Sequence, residues 1–272
     1  MTAALFFLML HAFVTGQEKY SLAYKMEKGN IYRYSQDNAI ESTQEMGGQE
    51  TKFVSDGHSI VRFQIDSVSQ EGTMNLIFSN EEYKFHSRIM GRDTSMNING
   101  LAGKRVQVQL SRLGKVLKET TIDSGMIDGK NVVLKFAGGA HFPQLPENQV
   151  SIGEKWPKNS IDTTIVGDGR TIVKSNVEYK LSGTESKGKH QCLRIEYKGT
   201  LETTGKMKQM GMDLVLEGTG EISGFLLFDF SAGLMVEEQS VTMTEVTMAV
   251  TGQAQMTIPM SQKITTTQKL LE

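Results

Sequence analysis

The sequence predicts a mainly β fold: curved antiparallel sheets built from two related halves, with at most one or two short helices. Period-two alternation, glycine-centred turns and a set of recurring landmarks predict it. Alternation is clearest in Val106-Gln107-Val108-Gln109-Leu110, where apolar side chains fall on one face of a strand and polar ones on the other. The same pattern marks Ile60 to Val68, Met74 to Phe78, Val177 to Leu181 and Leu193 to Tyr197, all rich in β-branched or aromatic residues.

Turn chemistry separates these runs. Asp56-Gly57, Glu71-Gly72, Asp168-Gly169, Lys187-Gly188 and Ala232-Gly233 each supply a glycine for a tight hairpin, and 27 glycines against 4 prolines read as hairpins rather than linkers. In the last third, Val241-Thr242-Met243-Thr244 alternates, the frame slips at Glu245-Val246, and Thr247 to Thr251 alternates again, which predicts a β-bulge in a long bent strand. Met256, Ile258 and Met260 continue an apolar stripe opposite Thr257 and Ser261. One helix is expected, from Ser124 to Phe136, capped by Asp123 or Ser124 and ended by Gly138-Gly139. The following Phe142-Pro143-Gln144-Leu145-Pro146 must be extended, because proline fixes φ and restricts the residue before it. It divides the chain into an N-terminal β half, 17–142, and a C-terminal β half, 143–272.

Three landmarks recur in order across that divide. Gly29-Asn30-Ile31-Tyr32 parallels Gly153-Glu154-Lys155-Trp156, the strand and turn from Val61 to Gly72 parallel Val177 to Gly188, and Val108 to Val116 parallels Leu227 to Met235. The offsets are 124, 116 and 119 residues, constant to within loop length, which predicts a duplicated β unit.

Residues 1–16 are of another kind. An apolar run from Ala3 to Val14, broken only by His11, turns polar at Thr15-Gly16-Gln17, as a signal peptide does, with cleavage expected before Gln17. The run is too short to span a bilayer, which takes about 20 residues. No Lys or Arg precedes it, a departure from the usual basic flank. Export to the periplasm or the extracellular space is expected. With 29 basic against 31 acidic residues and 7% aromatics, nothing favours nucleic acid or a polybasic membrane patch. Cys192 is the only cysteine, so no intramolecular disulfide can form; it is expected as a small hydrophobe in a strand's apolar face.

At Gly29-x-x-Tyr32-x-Tyr34, Leu145-Pro146, Val150-x-x-Gly153-x-x-Trp156, Tyr179-x-Leu181, Phe228-Asp229 and Gly233-Leu234, the chain resembles a family of uncharacterised exported bacterial envelope proteins. That resemblance implies export and a β-rich fold and brings no catalytic residues. A looser likeness is to the lipoprotein-carrier fold, a curved antiparallel sheet whose concave apolar face shelters acyl chains; it is an analogy of architecture only.

The residues name no catalytic centre, metal or cofactor. The five histidines, His11, His58, His86, His141 and His190, stand apart, where zinc needs three or four converging ligands. No Gly-x-Ser-x-Gly elbow occurs. Glu81-Glu82 and Glu237-Glu238 are adjacent residues that point to opposite faces of a strand, so neither pair can share acid and base work, and both read as solvated edge charges. Gly167-Asp168-Gly169-Arg170 and Gly218-Thr219-Gly220 lead into no helix and read as hairpin turns rather than phosphate loops.

Methionine remains. Of 16, Met207, Met210, Met212, Met235, Met243, Met248, Met256 and Met260 crowd the last third. Met fills irregular cores and equally suits adaptable apolar binding surfaces. The expected function is therefore a non-enzymatic envelope protein holding a lipid, a lipidated partner or another apolar ligand in a curved sheet, with Met235, Met243, Met248, Met256 and Met260 as candidate lining residues. The alternatives are a structural module that recruits another envelope protein and an enzyme whose polar groups converge only in three dimensions.

Overall fold

The computed structural model describes residues 18–89, 92–94, 99–127, 130–132, 141–166, 169–209, 212–251 and 256–271; the expected signal peptide lies outside them. In the first half the strands are β1 (Lys19–Tyr20), β2 (Ile31–Met46), β3 (Gln49–Val68), β4 (Met74–Ile89), β5 (Arg92–Thr94), β6 (Arg105–Leu110), β7 (Val116–Thr121), β8 (Gly125–Ile127) and β9 (Lys130–Val132). The second half holds β10 (Val150–Ser151), β11 (Lys155–Val166), β12 (Gly169–Lys187), β13 (His190–Gln209), β14 (Met212–Asp229), β15 (Leu234–Thr251) and β16 (Met256–Leu271).

Twelve of these strands form one antiparallel sheet, curved but not closed, in the order β11-β12-β13-β14-β15-β16-β2-β3-β4-β6-β7, with β5 added beside β4. The two halves meet where β16 lies against β2, from Leu271 opposite Arg33 to Met260 opposite Gln44. The last strand of the chain thus pairs with the first long one, and the halves share one continuous sheet.

Alternation places the core. Val61, Phe63, Ile65, Met74, Leu76, Phe78, Val106, Val108 and Leu110 of the first half lie on the same face as Val177, Leu181, Leu193, Ile195, Leu226 and Phe228 of the second, and all are buried. We call this the inner face. These residues cluster at the end of the strands marked by the turns at Gly72, Gly114, Gly188 and Gly233, each with positive φ.

Two irregular segments close over that end like a plug. Tyr20, Leu22, Tyr24 and Met26 alternate inward from the first, and Phe142, Leu145 and Val150 come from the second; all are buried. Tyr24 stands edge-on to Phe142 and Phe228 at 5.1 and 5.5 Å, and its hydroxyl donates to the Pro143 carbonyl at 2.9 Å. Phe63 meets Tyr34 and Phe142 the same way, each such pair adding about 0.5–1.5 kcal/mol beyond burial.

The plug explains why Gly114 and Gly233 recur. Besides its positive φ, a Cβ on Gly114 would come 2.9 Å from both the Pro143 carbonyl and the Tyr24 ring, and one on Gly233 would come 2.5 Å from the Lys25 nitrogen. The first landmark pair also matches bond for bond. Gly29 N donates to the Ile65 carbonyl at 2.8 Å and Ile65 N to Asn30 at 3.0 Å, while Gly153 N donates to Leu181 at 2.7 Å and Leu181 N to Glu154 at 3.0 Å.

Several expectations are corrected. The helix from Ser124 to Phe136 is instead, where described, the ladder of β8 with β9, in which Gly125 faces Val132 and Ile127 faces Lys130; a glycine at 125 costs a helix about 1 kcal/mol relative to alanine. Residues 133–136 lie outside the described set. Asp56-Gly57 is no turn, since both sit inside β3 opposite Ala39 and Asn38; the turn is Gly47-Gly48, where β2 meets β3. The bulge expected at Glu245-Val246 is absent, because β15 runs in unbroken register there, and the slip arises because Met243 faces outward at 55% exposure. A register shift does occur between Leu227 and Phe228. Gly218 and Gly220 are not turn residues but mid-strand positions of β14, where an added Cβ would lie 2.5 Å from a β15 carbonyl. Gly167 and Asp168 lie outside the described residues.

Candidate functional site

Above the plugged core, the inner face changes character within one row. Leu226 of β14 pairs with Glu238 of β15, Glu238 with Gln268 of β16, Gln268 with Gln36 of β2, and Gln36 with Ser59 of β3. Side chains that directly oppose one another across antiparallel strands share a face, so this is a polar band across the inner face. Glu238, Gln268 and Ser59 are buried.

An aromatic file leads to it from the sheet edge. Trp156 of β11 stacks on Tyr179 of β12 at 5.8 Å, Tyr179 lies against Tyr197 of β13 at 5.3 Å, and the Tyr197 hydroxyl donates to Glu238 Oε1 at 2.7 Å. Tyr197 reaches Glu238 by lying over Gly224 of β14, where a Cβ would be 2.8 Å from its Cζ and hydroxyl. Glycine here makes room for a neighbouring ring.

Burial sets the electrostatics. It pushes the Glu238 carboxyl up to about 7, against the hydrogen bond from Tyr197 and the charge of Lys158, both of which favour the ionised form. It likewise lowers Lys158, against the charges of Asp162 and Glu238. His141, from the second plug segment, is pushed down to about 4 by burial, opposed by its contact with Gln268, whose Oε1 lies 3.3 Å from Nδ1. Two buried nitrogens here, Trp156 Nε1 and Gln268 Nε2, have no acceptor among the described residues. Buried polar groups are seldom left so, and such an orphan calls for a partner.

Past the band the inner face is narrow in side chains, with Gly224, Ser240, Thr266, Asn38 and Gly57 in one row. Near the far ends it turns apolar again: Leu214, Val250 and Ile258 are buried together, with Met207, Met248 and Met260 packed on them.

Of the candidate lining residues, the structure therefore brings Met248 and Met260 together at this far cluster. Met256 stands opposite Val250 at its margin, 40% exposed. Met235 is 1% exposed inside the plugged core, and Met243 lies on the outer face. The side chains of Met210 and Met212 lie outside the described set.

The outer face is charged. One groove there, about 860 Å³, carries Glu45, Glu50, Glu202, Glu217 and Glu245, and others of about 810 and 690 Å³ are flanked by Met243. Among the described residues no group of three or more His, Cys, Asp or Glu is placed to hold a metal ion. Cys192 is buried on this face with Leu227 and Val236, and burial raises its thiol to about 11, which keeps it unreactive. Beside it, His190 Nδ1 lies 2.8 Å from Asp229, whose other oxygen accepts from Ser231 and Ala232 and so shapes the turn before Gly233.

The pair Glu237-Glu238 was expected to be solvated. The opposite faces hold, but both residues are buried: Glu237 is ion-paired to Lys187 Nζ at 2.6 Å outside, and Glu238 sits within. The polar band was not legible in the sequence, because Tyr197, Glu238 and Gln268 meet only through strand register. The first plug segment did carry a signal, since Tyr20, Leu22, Tyr24 and Met26 alternate.

What the fold and the band define is an open antiparallel sheet, plugged at one end, with a buried polar band between two apolar zones. No family model matches the chain, and no curated protein matches it. Among solved structures, it is similar to an outer membrane channel from Pseudomonas putida F1 (10% identity, 92% of this chain and 98% of that one, TM-score 0.26). It is likewise similar to Pseudomonas aeruginosa OccK8 (OprE) (8% identity, 90% and 99%, TM-score 0.25). At those scores no shared fold follows.

Proposed function

We propose that this is a non-enzymatic exported envelope protein, resident in the periplasm or outside the cell, that shelters an apolar ligand, a lipid or a lipidated partner, on the far stretch of its inner face. The observation that carries the reading is the mismatch between plug and sheet. The plug covers one end of the strands, while the inner face continues from Gly199 to Met207 along β13, about 26 Å at roughly 3.3 Å per residue, and ends on the Leu214, Val250 and Ile258 cluster. An acyl chain spans about 15 Å, half a bilayer's hydrocarbon core. The matched bonds at Gly29 and Gly153 support descent of the halves from one duplicated unit, and the resemblance to exported envelope proteins accords with this location.

The competing reading, a module that recruits another envelope protein along a strand edge, has β11 to offer, where Ile161 is 69% exposed. Pro157, with no N–H to give, and Lys155 and Asp162 blunt that edge. Native mass spectrometry and lipid extraction of the mature protein, purified gently from its own host, separate the two. A co-purifying apolar species of defined mass is expected. A stoichiometric protein partner with no lipid would overturn the reading.

A further inference from the structure

A cavity of about 440 Å³ opens between the second plug segment, 144–150, and the start of β11, Glu154 to Lys158. Its charged lining is mostly spoken for. Lys155 Nζ is bound to Glu178 at 2.8 Å, Glu154 Oε2 accepts from Ser151 N at 2.5 Å, and Glu147 is exposed to water. Lys158 differs: its side chain is partly buried and its ammonium makes no ion pair or hydrogen bond among the described residues. Trp156, two residues back and so on the same face of the strand, holds its Nε1–H buried with no acceptor among the described residues. The remaining lining is mixed, with the polar amides of Gln144, Asn148 and Gln149 beside the apolar Leu145, Pro146, Val150 and Pro157.

Lys158 feels the charges of Asp162 and Glu238 but touches neither, so its ammonium and the indole N–H, which has no acceptor among the described residues, are a pair of donors open to an acceptor. Both stand where the plug ends among the described residues: Lys158 pairs with Val177, and Val177 with Gly199, at the foot of the stretch described above. From the geometry we infer that Lys158 Nζ and Trp156 Nε1 form the head-group subsite for an acyl ligand ending in a single anionic oxygen group, a carboxylate or a phosphate, with the chain running from there along the inner face. A charge-assisted bond in a partly desolvated site discriminates more strongly than the same bond in water. The inference rests on the apolar-ligand reading and adds the chemistry of the ligand's polar end.

Trp156 is the only tryptophan of the chain, so its emission reports on the subsite directly. The mature protein is titrated at pH 8 with palmitate, hexadecyl phosphate and methyl palmitate, following Trp156 emission and displacement of a fluorescent fatty acid. Palmitate or hexadecyl phosphate should bind at least about tenfold more tightly than the ester, the difference that one charge-assisted bond supplies. Lys158→Met should bring acid and ester to the same affinity without weakening the ester, and Lys158→Arg should keep the preference. A preference for palmitate alone assigns a free carboxylate, and for hexadecyl phosphate alone a phosphate head group. Equal binding of acid and ester by the wild type, or a preference that survives in a folded Lys158→Met, overturns the subsite and leaves the apolar-ligand reading standing. If the folded wild type binds none of the three, both fall.

Discussion

The two ends of the same strands are built on different terms. At the plugged end, β3 carries Val61, Phe63 and Ile65 at 1% exposure or less, covered by two segments from outside the sheet. At the far end, β14 and β15 offer Leu214 and Val250 at 5% and 7%, packed, among the described residues, against neighbours on the sheet itself. A single sheet face cannot satisfy its own hydrophobicity and needs a second layer. Among the described residues that second layer lies over part of the length. Stability is therefore concentrated at one end, and the other is the place for the looser packing that binding requires.

The largest test of that contrast is a pair of truncations. Phe63→Ala should cost about 3–5 kcal/mol and Leu214→Ala about 2 kcal/mol, the low end for a buried leucine, in urea unfolding midpoints at constant slope. Equal losses would mean that the far end is packed as densely as the core.

Glu238 sharpens the boundary between the zones. Burial holds its folded carboxyl near 7 against an ordinary 4.5, so the folded state binds more protons than the unfolded one between those values. Its contribution is thus unfavourable as pH rises through that window and fully so above about pH 8, on the order of 3 kcal/mol. His141 acts the other way: its folded value near 4 lies below 6.5, and stability is lost as pH falls through that interval. The two slopes oppose one another below 6.5, and above it, of these two groups, Glu238 still titrates. The groups facing Glu238 are Tyr197, Lys158, Tyr24 and Tyr179. Glu238→Gln keeps the Tyr197 bond and should raise the melting temperature at pH 8.5 while changing it little at pH 5. A wild-type profile flat between pH 6 and 8.5 would show a hydrated Glu238 and no desolvated band.

A smaller effect belongs to Gly224, whose bare backbone lets Tyr197 lie across to Glu238. Gly224→Ala should cost about 1–3 kcal/mol by overpacking and, by breaking the Tyr197 contact, change the pH slope above 6.5. An alanine variant with unchanged stability and slope would show that the ring does not depend on that space.

Much of this was legible in the chain. Val106 to Leu110, Val177 to Leu181 and Leu193 to Tyr197 are strands with the faces their alternation assigns, and Met256, Ile258 and Met260 share one face, as their spacing implies. Met243 misled because threonine is at home on either face of a strand, so Val241 to Thr244 alternates without saying which side is inward. Gly218 and Gly220 misled for the converse reason: a glycine reads as a turn, although a strand crowded by its neighbour asks for one equally.

Sequence by itself determined the strand periodicity, the places of the tight turns at Gly72, Gly188 and Gly233, and the order of the repeated landmarks, because these depend on residues close along the chain. Tertiary structure alone decided that β16 meets β2 and joins the halves, that Tyr20 to Met26 folds over the sheet, and that Tyr197, Glu238, Gln268 and Lys158 share one face. Pairing between strands far apart in sequence is set by which register buries the most apolar surface across the whole sheet. No local pattern carries that sum, so the polar band and the subsite beside it came into view only with the fold.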